Sequence, residues 1–341
     1  MNKLLSNGFK VGSLPEDYIF PPESRPGNVK IPFSSNIPVI DLSEEHNADR
    51  TNTIHKIIQA AQEFGFFQVM NHGISVNEMN EVRSVFKELF EMAAEEKEKL
   101  CSDDPSKTCK MITSNVNYAT EKVHLWRDNF RHPCHPLEKW QHLWPQNPTK
   151  YRECVGAFSV EVKKLASRIL SLIGEGLGLK SGYFEKDLAG SMTLSINHYP
   201  PCPEPSLTLG IVKHSDPNLI TILLQDDVCG LQVLKDGKWM AVEPIPNAFV
   251  VNIGYQLQII SNGKLLSAEH RAVTNSRDAR TSAAFFVAPS DDCIIEPAQG
   301  LTNEHHPPIF KSFKYKDFFS YYFAKNGDTD LVLKSFQALK N

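Results

Sequence analysis

The chain has 341 residues, of which 41% are hydrophobic and 22% are charged, and its formal net charge at pH 7 is −4. This length and composition are typical of a globular protein with one large core or two smaller ones. The weak negative charge excludes the basic surface that binds nucleic acid or anionic lipid. Seven cysteines without a CxxC pair argue against a disulfide framework or a thiolate zinc site, and no stretch is apolar enough for a signal peptide or a membrane span. We therefore expect a cytoplasmic protein that has no membrane, nucleic-acid or obligate protein partner.

The first part of the chain is predicted to be mainly helical. Residues 1–36 are rich in Pro, Gly and Ser and are expected to form an irregular arm on the surface. Residues 38–42 (PVIDL) and 66–69 predict two short strands, and the turn at 71–73 (NHG) ends the second. Two amphipathic helices are indicated by apolar residues at helical spacing, namely Ile54, Ile57, Ile58, Ala61 and Phe64 in one and Val82, Val85, Phe86, Leu89 and Phe90 in the other.

Residues 101–149 show no clear period, and a long helix is predicted after them. Apolar residues recur at helical spacing from Val155 to Ile173, and three glycines at 174, 176 and 178 are expected to end this helix. From Met192 onward short apolar runs alternate with turn signals such as Asp236-Gly237 and Asn262-Gly263. A closing helix is predicted from Phe318.

The predicted fold class is α+β and mainly β, with N-terminal helices supporting an antiparallel barrel of jelly-roll type. Many short strands at this spacing are typical of a sandwich or barrel rather than of alternating β and α units. We assign residues 1–185 to the helical N-terminal region with its arm. Residues 186–341 are assigned to the jelly-roll core.

Three residues of the predicted barrel suggest a metal site. In an extended segment, His214 and Asp216 point to the same face, because side chains alternate along a strand. His270 follows 54 residues after Asp216, with several strands predicted in between. Two His and one carboxylate on one face are typical of iron(II) oxygenases. A surface HxD and a core histidine bonded to backbone remain the alternatives.

A second group of polar residues lies on predicted strands of the same barrel. Arg280 leads into the apolar run AAFFVA, and a buried guanidinium needs a partner such as a carboxylate, which its planar fork matches. Ser282 is on the same face. Asn197 and Tyr199 form another polar i, i+2 pair, whereas His198 falls on the opposite face and is not expected to be a ligand. An Arg reaching to the barrel rim is the competing interpretation.

From end to end the chain resembles the plant iron(II)/2-oxoglutarate-dependent dioxygenases. Within that family it is most similar to the branch of salicylate hydroxylases linked to downy-mildew susceptibility, and next to the hyoscyamine hydroxylases. The resemblance is carried by the stretches PVIDL, EFGFFQVMNHG, AAEEKEKL, INHYPPCPEP, KHSDPNLITILLQD, GLQVLKDGKWMAVEPIPNAFVVNIG, SNGKLLSAEHRAV and RTS.

The resemblance implies a double-stranded β-helix with Fe(II) on His214, Asp216 and His270. It implies 2-oxoglutarate as co-substrate and O2 as oxidant, with ascorbate as reductant in assays. The far carboxylate of 2-oxoglutarate would meet three residues, Arg280, Ser282 and Tyr199. Asn197 would lie near the metal-bound end of the co-substrate.

Candidate substrate contacts come from the same resemblance. They are Asn129, Arg131 and Phe286, with Phe285 a weaker candidate. Two residues that depart from the family pattern are further candidates for substrate contact. Lys213 directly precedes the first metal ligand, where a small residue is common. Tyr255 follows NIG, where many members carry Asp, and a packing role is slightly favoured over a substrate contact for it. As cations, Arg131 and Lys213 favour a substrate with a carboxylate or phenolate, although Arg131 could instead pair with Glu121 or Asp128.

The leading hypothesis is a dioxygenase that hydroxylates a small plant metabolite such as a phenolic acid, flavonoid or alkaloid. 2-Oxoglutarate would be decarboxylated to succinate and CO2. Desaturation, epoxidation or demethylation by the same cofactors is the closest alternative. Two further alternatives remain. One is a binding barrel that has lost catalysis, and the other is a zinc hydrolase with the same metal ligands, which would not need the motif Arg280-Thr281-Ser282.

Overall fold

The computed structural model describes residues 4–338 except 9–11, 29–30, 33–36, 44–48, 103, 105, 116–117 and 326. The α-helices are α1 Arg50–Glu63, α2 Val76–Glu91, α3 Ala94–Glu98, α4 Leu137–Trp140, α5 Tyr151–Gly176, α6 Tyr255–Ile260, α7 Tyr315–Ala324 and α8 Thr329–Phe336. The strands are β1 Val39–Asp41, β2 Phe66–Met70, β3 Lys110–Thr113, β4 Asp128–His135, β5 Ser191–Tyr199, β6 Ile211–His214, β7 Ile220–Gln225, β8 Leu231–Lys235, β9 Lys238–Ala241, β10 Phe249–Ile253, β11 His270–Ala272, β12 Arg280–Ala288, β13 Ile294–Ile295 and β14 Phe313–Lys314.

Two sheets form the framework of the candidate site. The larger has eight strands in the order β1-β2-β10-β7-β12-β5-β4-β3, and the smaller has four in the order β6-β11-β8-β9. Apart from the parallel pair β1 and β2, the pairs of both sheets are antiparallel. This is the predicted jelly-roll architecture, with non-consecutive strands paired by crossovers.

Helices cover one face of the large sheet and leave the other face to the site. The long helix α5 contacts β4, β7 and β12, and the Phe158 ring lies 5.9 Å from that of Phe285 on β12. Because side chains alternate along a strand, the neighbours of Phe285 in β12 face the smaller sheet. None of the helices in the described ranges is both long and apolar enough to cross a bilayer.

The predicted helices and most predicted turns are confirmed. The two N-terminal amphipathic patterns form α1 and α2, and a reciprocal capping box between Ser75 and Glu78 starts α2. The hairpin at Asp236 and Gly237 joins β8 to β9, with both residues at positive φ as such a tight turn requires. His198 faces the helices, stacked on Phe90 with ring centroids 4.7 Å apart.

Several local predictions were wrong. The long helix ends at Gly176, and Gly178 then takes the left-handed conformation, as predicted, but Gly174 lies inside the helix. Asn262 and Gly263 do not join two strands; they follow the unpredicted helix α6. The stretch 101–149 contributes β3 and β4 to the large sheet, although their alternation was too short and too polar to be recognised.

The described residues of the N-terminal arm are mostly exposed or half-buried, as expected of a surface arm, and a few buried apolar side chains anchor them. Leu5 and Tyr18 are buried in a cluster with Trp126. Asp128 on β4 accepts hydrogen bonds from the backbone N–H groups of Leu5 and Ser6, at 3.1 and 2.7 Å. The predicted division at residue 185 remains a prediction, and the large sheet takes four strands from each side of it.

Candidate active site

Two imidazoles and one carboxylate meet beside the smaller sheet. His214 ends β6 and His270 begins β11, and the two are direct partners across this antiparallel pair, with ring centroids 4.2 Å apart. Asp216 lies just beyond the end of β6, and its Oδ1 is 3.7 Å from Nε2 of each imidazole. Within the described part of the chain, these three residues are the one cluster of His, Cys, Asp and Glu side chains close enough to share a metal ion.

Backbone carbonyls fix the orientation of both imidazoles. Nδ1 of His214 lies 2.9 Å from the carbonyl oxygen of Val212, and Nδ1 of His270 lies 3.1 Å from that of Ala268. A carbonyl can only accept, so each Nδ1 carries the proton and each Nε2 keeps its lone pair. Burial, and then the neighbouring His270, lower the pKa of His214, so this imidazole is neutral at neutral pH. Neutral imidazoles with free Nε2 atoms are the form that binds metal.

The carboxylate of Asp216 is held by one oxygen and free at the other. Its Oδ2 accepts hydrogen bonds from Thr221 Oγ1 at 2.6 Å and from Asn252 Nδ2 at 3.2 Å. The residue is almost fully buried, and no Lys or Arg of the described chain forms an ion pair with it. A buried carboxylate without a cation is costly unless a metal compensates it. Two imidazole nitrogens and one carboxylate oxygen match the donor set of non-haem iron(II) sites, so these residues fit that ion.

A buried cation lies across the cavity from this cluster, on the large sheet. Arg280 begins β12 and is buried, with Nη2 donating to Gln225 Oε1 at 2.8 Å and Nη1 to Ser282 Oγ at 3.3 Å. Its Cζ lies 5.2 Å from the centroid of Tyr199, its direct partner on β5. No Asp or Glu among the described residues forms an ion pair with Arg280, and its burial excludes the predicted alternative of an Arg at the rim. The cavity that these residues line also contains the His214, Asp216 and His270 side chains.

Asn197 belongs to the same cavity and is held by its carbonyl oxygen. Its Oδ1 accepts from Arg127 Nη1 at 2.9 Å and from Asn129 Nδ2 at 3.0 Å. The Asn129 amide is further bonded to Ser195 Oγ and to the backbone oxygen of Ile196. The structure therefore brings Asn197 to the cavity and places Asn129 in a buried network behind it, rather than among the residues that line the cavity.

The other predicted substrate contacts fall in different surroundings. Phe286 lines the cavity, whereas Phe285 faces the helical side of the sheet. Lys213 forms an ion pair with Glu269 at 2.9 Å and is about half exposed. Tyr255 is fully buried, with its ring packed against α7. Only Phe286 of these four lines the cavity, and the half-buried Arg131 on β4 does not line it either.

Four residues that sequence reasoning did not single out support the site. Thr221 and Asn252 hold Asp216, Gln225 holds Arg280, and Arg127 holds Asn197. Thr221, Gln225 and Asn252 are the polar members of otherwise apolar strands, and a polar residue in such a strand is a signal in itself.

The comparisons with known proteins agree with this geometry. Residues 190–289 match the 2OG-Fe(II) oxygenase superfamily, and residues 37–147 match the N-terminal region of the non-haem dioxygenases in morphine synthesis. The chain is 44% identical over 339 residues to Protein DOWNY MILDEW RESISTANCE 6 of Arabidopsis thaliana, with 98% of each chain covered. It is 40% identical over 336 residues to hyoscyamine 6-dioxygenase of Hyoscyamus niger, with 95% of this chain and 96% of that protein covered. The crystal structure of JOX2 in complex with 2OG, Fe and JA superposes with a TM-score of 0.85 at 34% identity, over 98% of this chain and 96% of that one.

Proposed function

The chain belongs to the 2-oxoglutarate- and iron(II)-dependent oxygenase superfamily and is a 2-oxoglutarate-dependent dioxygenase, and we propose that it hydroxylates a small specialised metabolite of plants. The observation that carries the proposal is the cluster of His214, Asp216 and His270 facing the buried Arg280 across one cavity. The proposed substrate is a phenolic acid, a flavonoid or an alkaloid. Relatives named flavanone 3-dioxygenase and hyoscyamine 6-dioxygenase support the second and third of these classes.

The metal would be held by His214, Asp216 and His270 through two Nε2 atoms and one Oδ1. Iron(II) bound there supplies the activation of dioxygen, which side chains alone do not provide. The chain itself fixes the donors. Backbone carbonyls keep both imidazoles in one tautomer. Thr221 and Asn252 hold Oδ2 of the carboxylate, which leaves Oδ1 facing the two imidazoles.

The co-substrate would lie along the large sheet. Arg280 and the hydroxyls of Ser282 and Tyr199 are donors for the far carboxylate of 2-oxoglutarate, which a guanidinium binds through two parallel N–H groups. Asn197 has its Oδ1 occupied by two donors, so its Nδ2 is left to donate to the other end of 2-oxoglutarate.

The proposed reaction balances without any other oxidant. 2-Oxoglutarate loses C1 as CO2 and gains one oxygen atom to become succinate, and the second oxygen atom of O2 enters a C–H bond of the substrate as a hydroxyl. 2-Oxoglutarate and the substrate each give up two electrons, and O2 accepts all four. The role of the protein is to place the substrate carbon and to keep water from the site.

The reaction is tested with purified protein, iron(II), ascorbate and 2-oxoglutarate, presented with phenolic acids, flavanones and tropane alkaloids in turn. We expect substrate-dependent release of succinate and a product heavier by one oxygen atom, detected by mass spectrometry. A product that has lost two hydrogens, or a methyl group, would contradict hydroxylation. Succinate release that never exceeds that of boiled protein would contradict the proposal as a whole.

The metal assignment is tested by Asp216→Ala. We expect loss of metal binding, measured by calorimetry with Mn(II) as an air-stable stand-in, together with loss of succinate release. Asp227→Ala is the matched control, because Asp227 is an exposed carboxylate outside the cavity and its removal should change neither quantity. Metal binding by Asp216→Ala that equals that of the wild type would refute the assignment.

A further inference from the structure

The segment 215–219, which we call the ligand loop, connects β6 to β7 and contains Asp216. β6 ends at His214 and β7 begins at Ile220, so strand pairing does not fix the backbone of this loop. His214 and His270, in contrast, are direct partners in the smaller sheet. The position of the carboxylate in the cluster therefore depends on the contacts that hold the ligand loop.

The carbonyl groups of the ligand loop make those contacts. Each of the five carbonyl oxygens accepts a hydrogen bond, four of them from residues 254–256 at the start of α6 and one from α7. The four donors at α6 are the backbone N–H of Gly254 to Leu219 at 2.9 Å, that of Tyr255 to Asp216 at 2.9 Å, that of Gln256 to Asn218 at 3.2 Å, and the Gln256 side-chain amide to Pro217 at 2.7 Å. The fifth donor is the Tyr322 hydroxyl on α7, at 2.9 Å from the carbonyl oxygen of Ser215.

The two helices contribute to this arrangement in different ways. The start of α6 lies against the ligand loop so closely that a Cβ at Gly254 would overlap the carbonyl oxygen of Asn218. Three of its four donors are backbone groups, which no side-chain substitution removes. Tyr322 instead reaches the loop with a side chain, from a helix 107 residues further along the chain. Its hydroxyl is therefore a contact between the C-terminal helices and the loop that a single substitution can remove.

The carbonyl that Tyr322 holds lies between two metal-ligand candidates. Ser215 separates His214 from Asp216, and its carbonyl belongs to the peptide group that ends at the Cα atom of Asp216. Because a peptide group is planar and moves as one unit, a hydrogen bond to this oxygen fixes the plane that leads into Asp216. Rotation of that plane would turn the carboxylate away from the Nε2 atoms of both imidazoles, which now lie 3.7 Å from its Oδ1.

The surroundings of the Tyr322 hydroxyl keep it in place and protonated. The residue is buried, and Gly327 leaves room for it, since a Cβ there would lie 2.9 Å from the hydroxyl oxygen. Burial, and then the nearby carboxylate of Asp216, raise the pKa of Tyr322 well above its usual range. The hydroxyl therefore keeps its proton and donates it to the Ser215 carbonyl, which can only accept.

A purely structural role for this tyrosine would lie in docking α7 on the core. That docking rests on apolar contacts, because Tyr315 and Phe318 of the same helix are buried in the main core and the Phe318 ring lies 5.8 Å from that of Tyr255. A phenylalanine at position 322 would fill the same space as the tyrosine ring. The hydroxyl adds a polar contact to the ligand loop that the docking of α7 does not require.

We propose that Tyr322 is a positioning residue of the metal site, whose hydroxyl fixes the Ser215 carbonyl and thereby holds Asp216 within reach of the metal. The inference rests on the proposed function, in particular on its metal assignment, and it couples α7 to metal binding. Such a coupling is reciprocal, so a bound metal stabilises the docked α7 by the same factor by which the docked helix strengthens metal binding.

The first experiment removes only the hydroxyl, by Tyr322→Phe in the full chain. Calorimetry with Mn(II) should show metal binding about tenfold weaker than in the wild type, the lower end of what the loss of a hydrogen-bonding partner around metal ligands causes. Tyr321→Phe is the matched control, because the hydroxyl of this neighbour on α7 is bonded to that of Ser335 on α8, at 2.6 Å. This variant also loses one hydroxyl and its hydrogen bond, and it should bind Mn(II) as the wild type does.

The second experiment follows hydrogen exchange in α7 with and without Mn(II). It is carried out where the α7 amides exchange faster than those of α5, so that α7 opens without global unfolding. Mn(II) should slow the exchange of α7 several-fold in the wild type and in Tyr321→Phe, and should leave it unchanged in Tyr322→Phe. A side chain that only packs would not make the exchange of its helix depend on the metal.

The outcomes separate this inference from the one on which it rests. If the wild type binds Mn(II) and Tyr322→Phe binds it equally well, or if both variants lose affinity alike, the metal assignment stands and the positioning role of Tyr322 is overturned. A wild type that binds no Mn(II) overturns the metal assignment, and this inference with it. If Tyr322→Phe does not fold, the wild type decides, because α7 exchange that does not respond to Mn(II) overturns the coupling.

Discussion

At the residue scale, the candidate site is defined by charges that the protein alone does not neutralise. Among the residues that the structure describes, the buried Asp216 forms no ion pair with a Lys or Arg, and the buried Arg280 forms none with an Asp or Glu, although the carboxylate of Asp226 interacts with it electrostatically. Buried charges of this kind are costly in a protein that binds nothing. Metal and co-substrate would each compensate one of them.

Arg280 offers a direct test of the co-substrate position. Arg280→Lys keeps the positive charge but loses the planar fork, so the affinity for 2-oxoglutarate should fall while that for the substrate is nearly unchanged. Charged hydrogen bonds contribute on the order of 1.5–3 kcal/mol each, which corresponds to at least about a tenfold rise in the Michaelis constant for 2-oxoglutarate. An unchanged constant in steady-state kinetics would mean that Arg280 is structural.

Thr221 tests whether the hydrogen bonds to the carboxylate of Asp216 tune the metal site. Thr221→Val keeps the shape and removes the 2.6 Å hydrogen bond to Oδ2, so the carboxylate is held by Asn252 alone. Loss of such a partner typically weakens metal binding by about 10–100-fold. Calorimetry with Mn(II) measures the change, with Thr302→Val, at a residue that does not line the cavity, as the control. Equal affinities in the wild type and Thr221→Val would show that this bond does not matter.

At the scale of elements, β12 organises the site because its two faces have different tasks. Arg280, Ser282, Ala284 and Phe286 face the cavity, while Phe285 and its alternate neighbours pack against the helices. A shift of register by one residue would exchange these faces, so the pairing of β12 with β5 and β7 fixes which residues can reach a ligand.

Two glycines at positive φ test how tightly the elements are joined. Gly65 connects α1 to β2, where a Cβ would overlap the carbonyl oxygen of Leu266, whereas Gly178 follows α5 with open space around it. Gly178→Ala should cost about 1 kcal/mol, the strain of a left-handed residue with a side chain. Gly65→Ala has the same strain and the overlap, so its cost in urea unfolding should be clearly larger. Equal costs would mean that the loop at Leu266 moves freely.

At the scale of the whole molecule, one hydrophobic core joins the helices to the large sheet, and buried histidines are part of it. His132 lies on β4 with Nε2 2.8 Å from the hydroxyl of Tyr151, and His198 lies on β5, stacked on Phe90. Burial lowers the pKa of each to about 4. Both are therefore neutral in the folded protein at neutral pH.

These histidines predict how global stability depends on pH. The unfolded chain takes up their protons near pH 6.5 and the folded protein only near pH 4, so their contribution is complete above pH 6.5 and is lost as pH falls toward 4. The free energy of unfolding of the metal-free protein should fall by up to about 1.4 kcal/mol per pH unit for each. His198→Gln should reduce this slope in urea unfolding between pH 7 and 5. Exposed His305→Gln should not, and equal slopes in all three proteins would contradict the prediction.

The sequence by itself determined the class of fold and indicated the residues of the candidate site. Strand alternation predicted that His214 and Asp216 share a face, and likewise Arg280 and Ser282, whatever strand lies beside them. Helical periodicity located α1, α2 and α5 for the same reason, since the period belongs to the local backbone. The resemblance to a known family added His270 as the third ligand and gave these residues their expected roles.

Only the tertiary structure decided which cations pair with an acid and which polar residues support the cluster. Lys213 and Arg131 are both cations next to predicted strands, but Lys213 meets Glu269 from β11's entry loop, whereas Arg131 meets no acid of the described chain. The strands β3 and β4 were missed because their short, polar alternation becomes a strand only beside β5. Partners that are distant in sequence are set by strand order and register, and no local pattern encodes either of these.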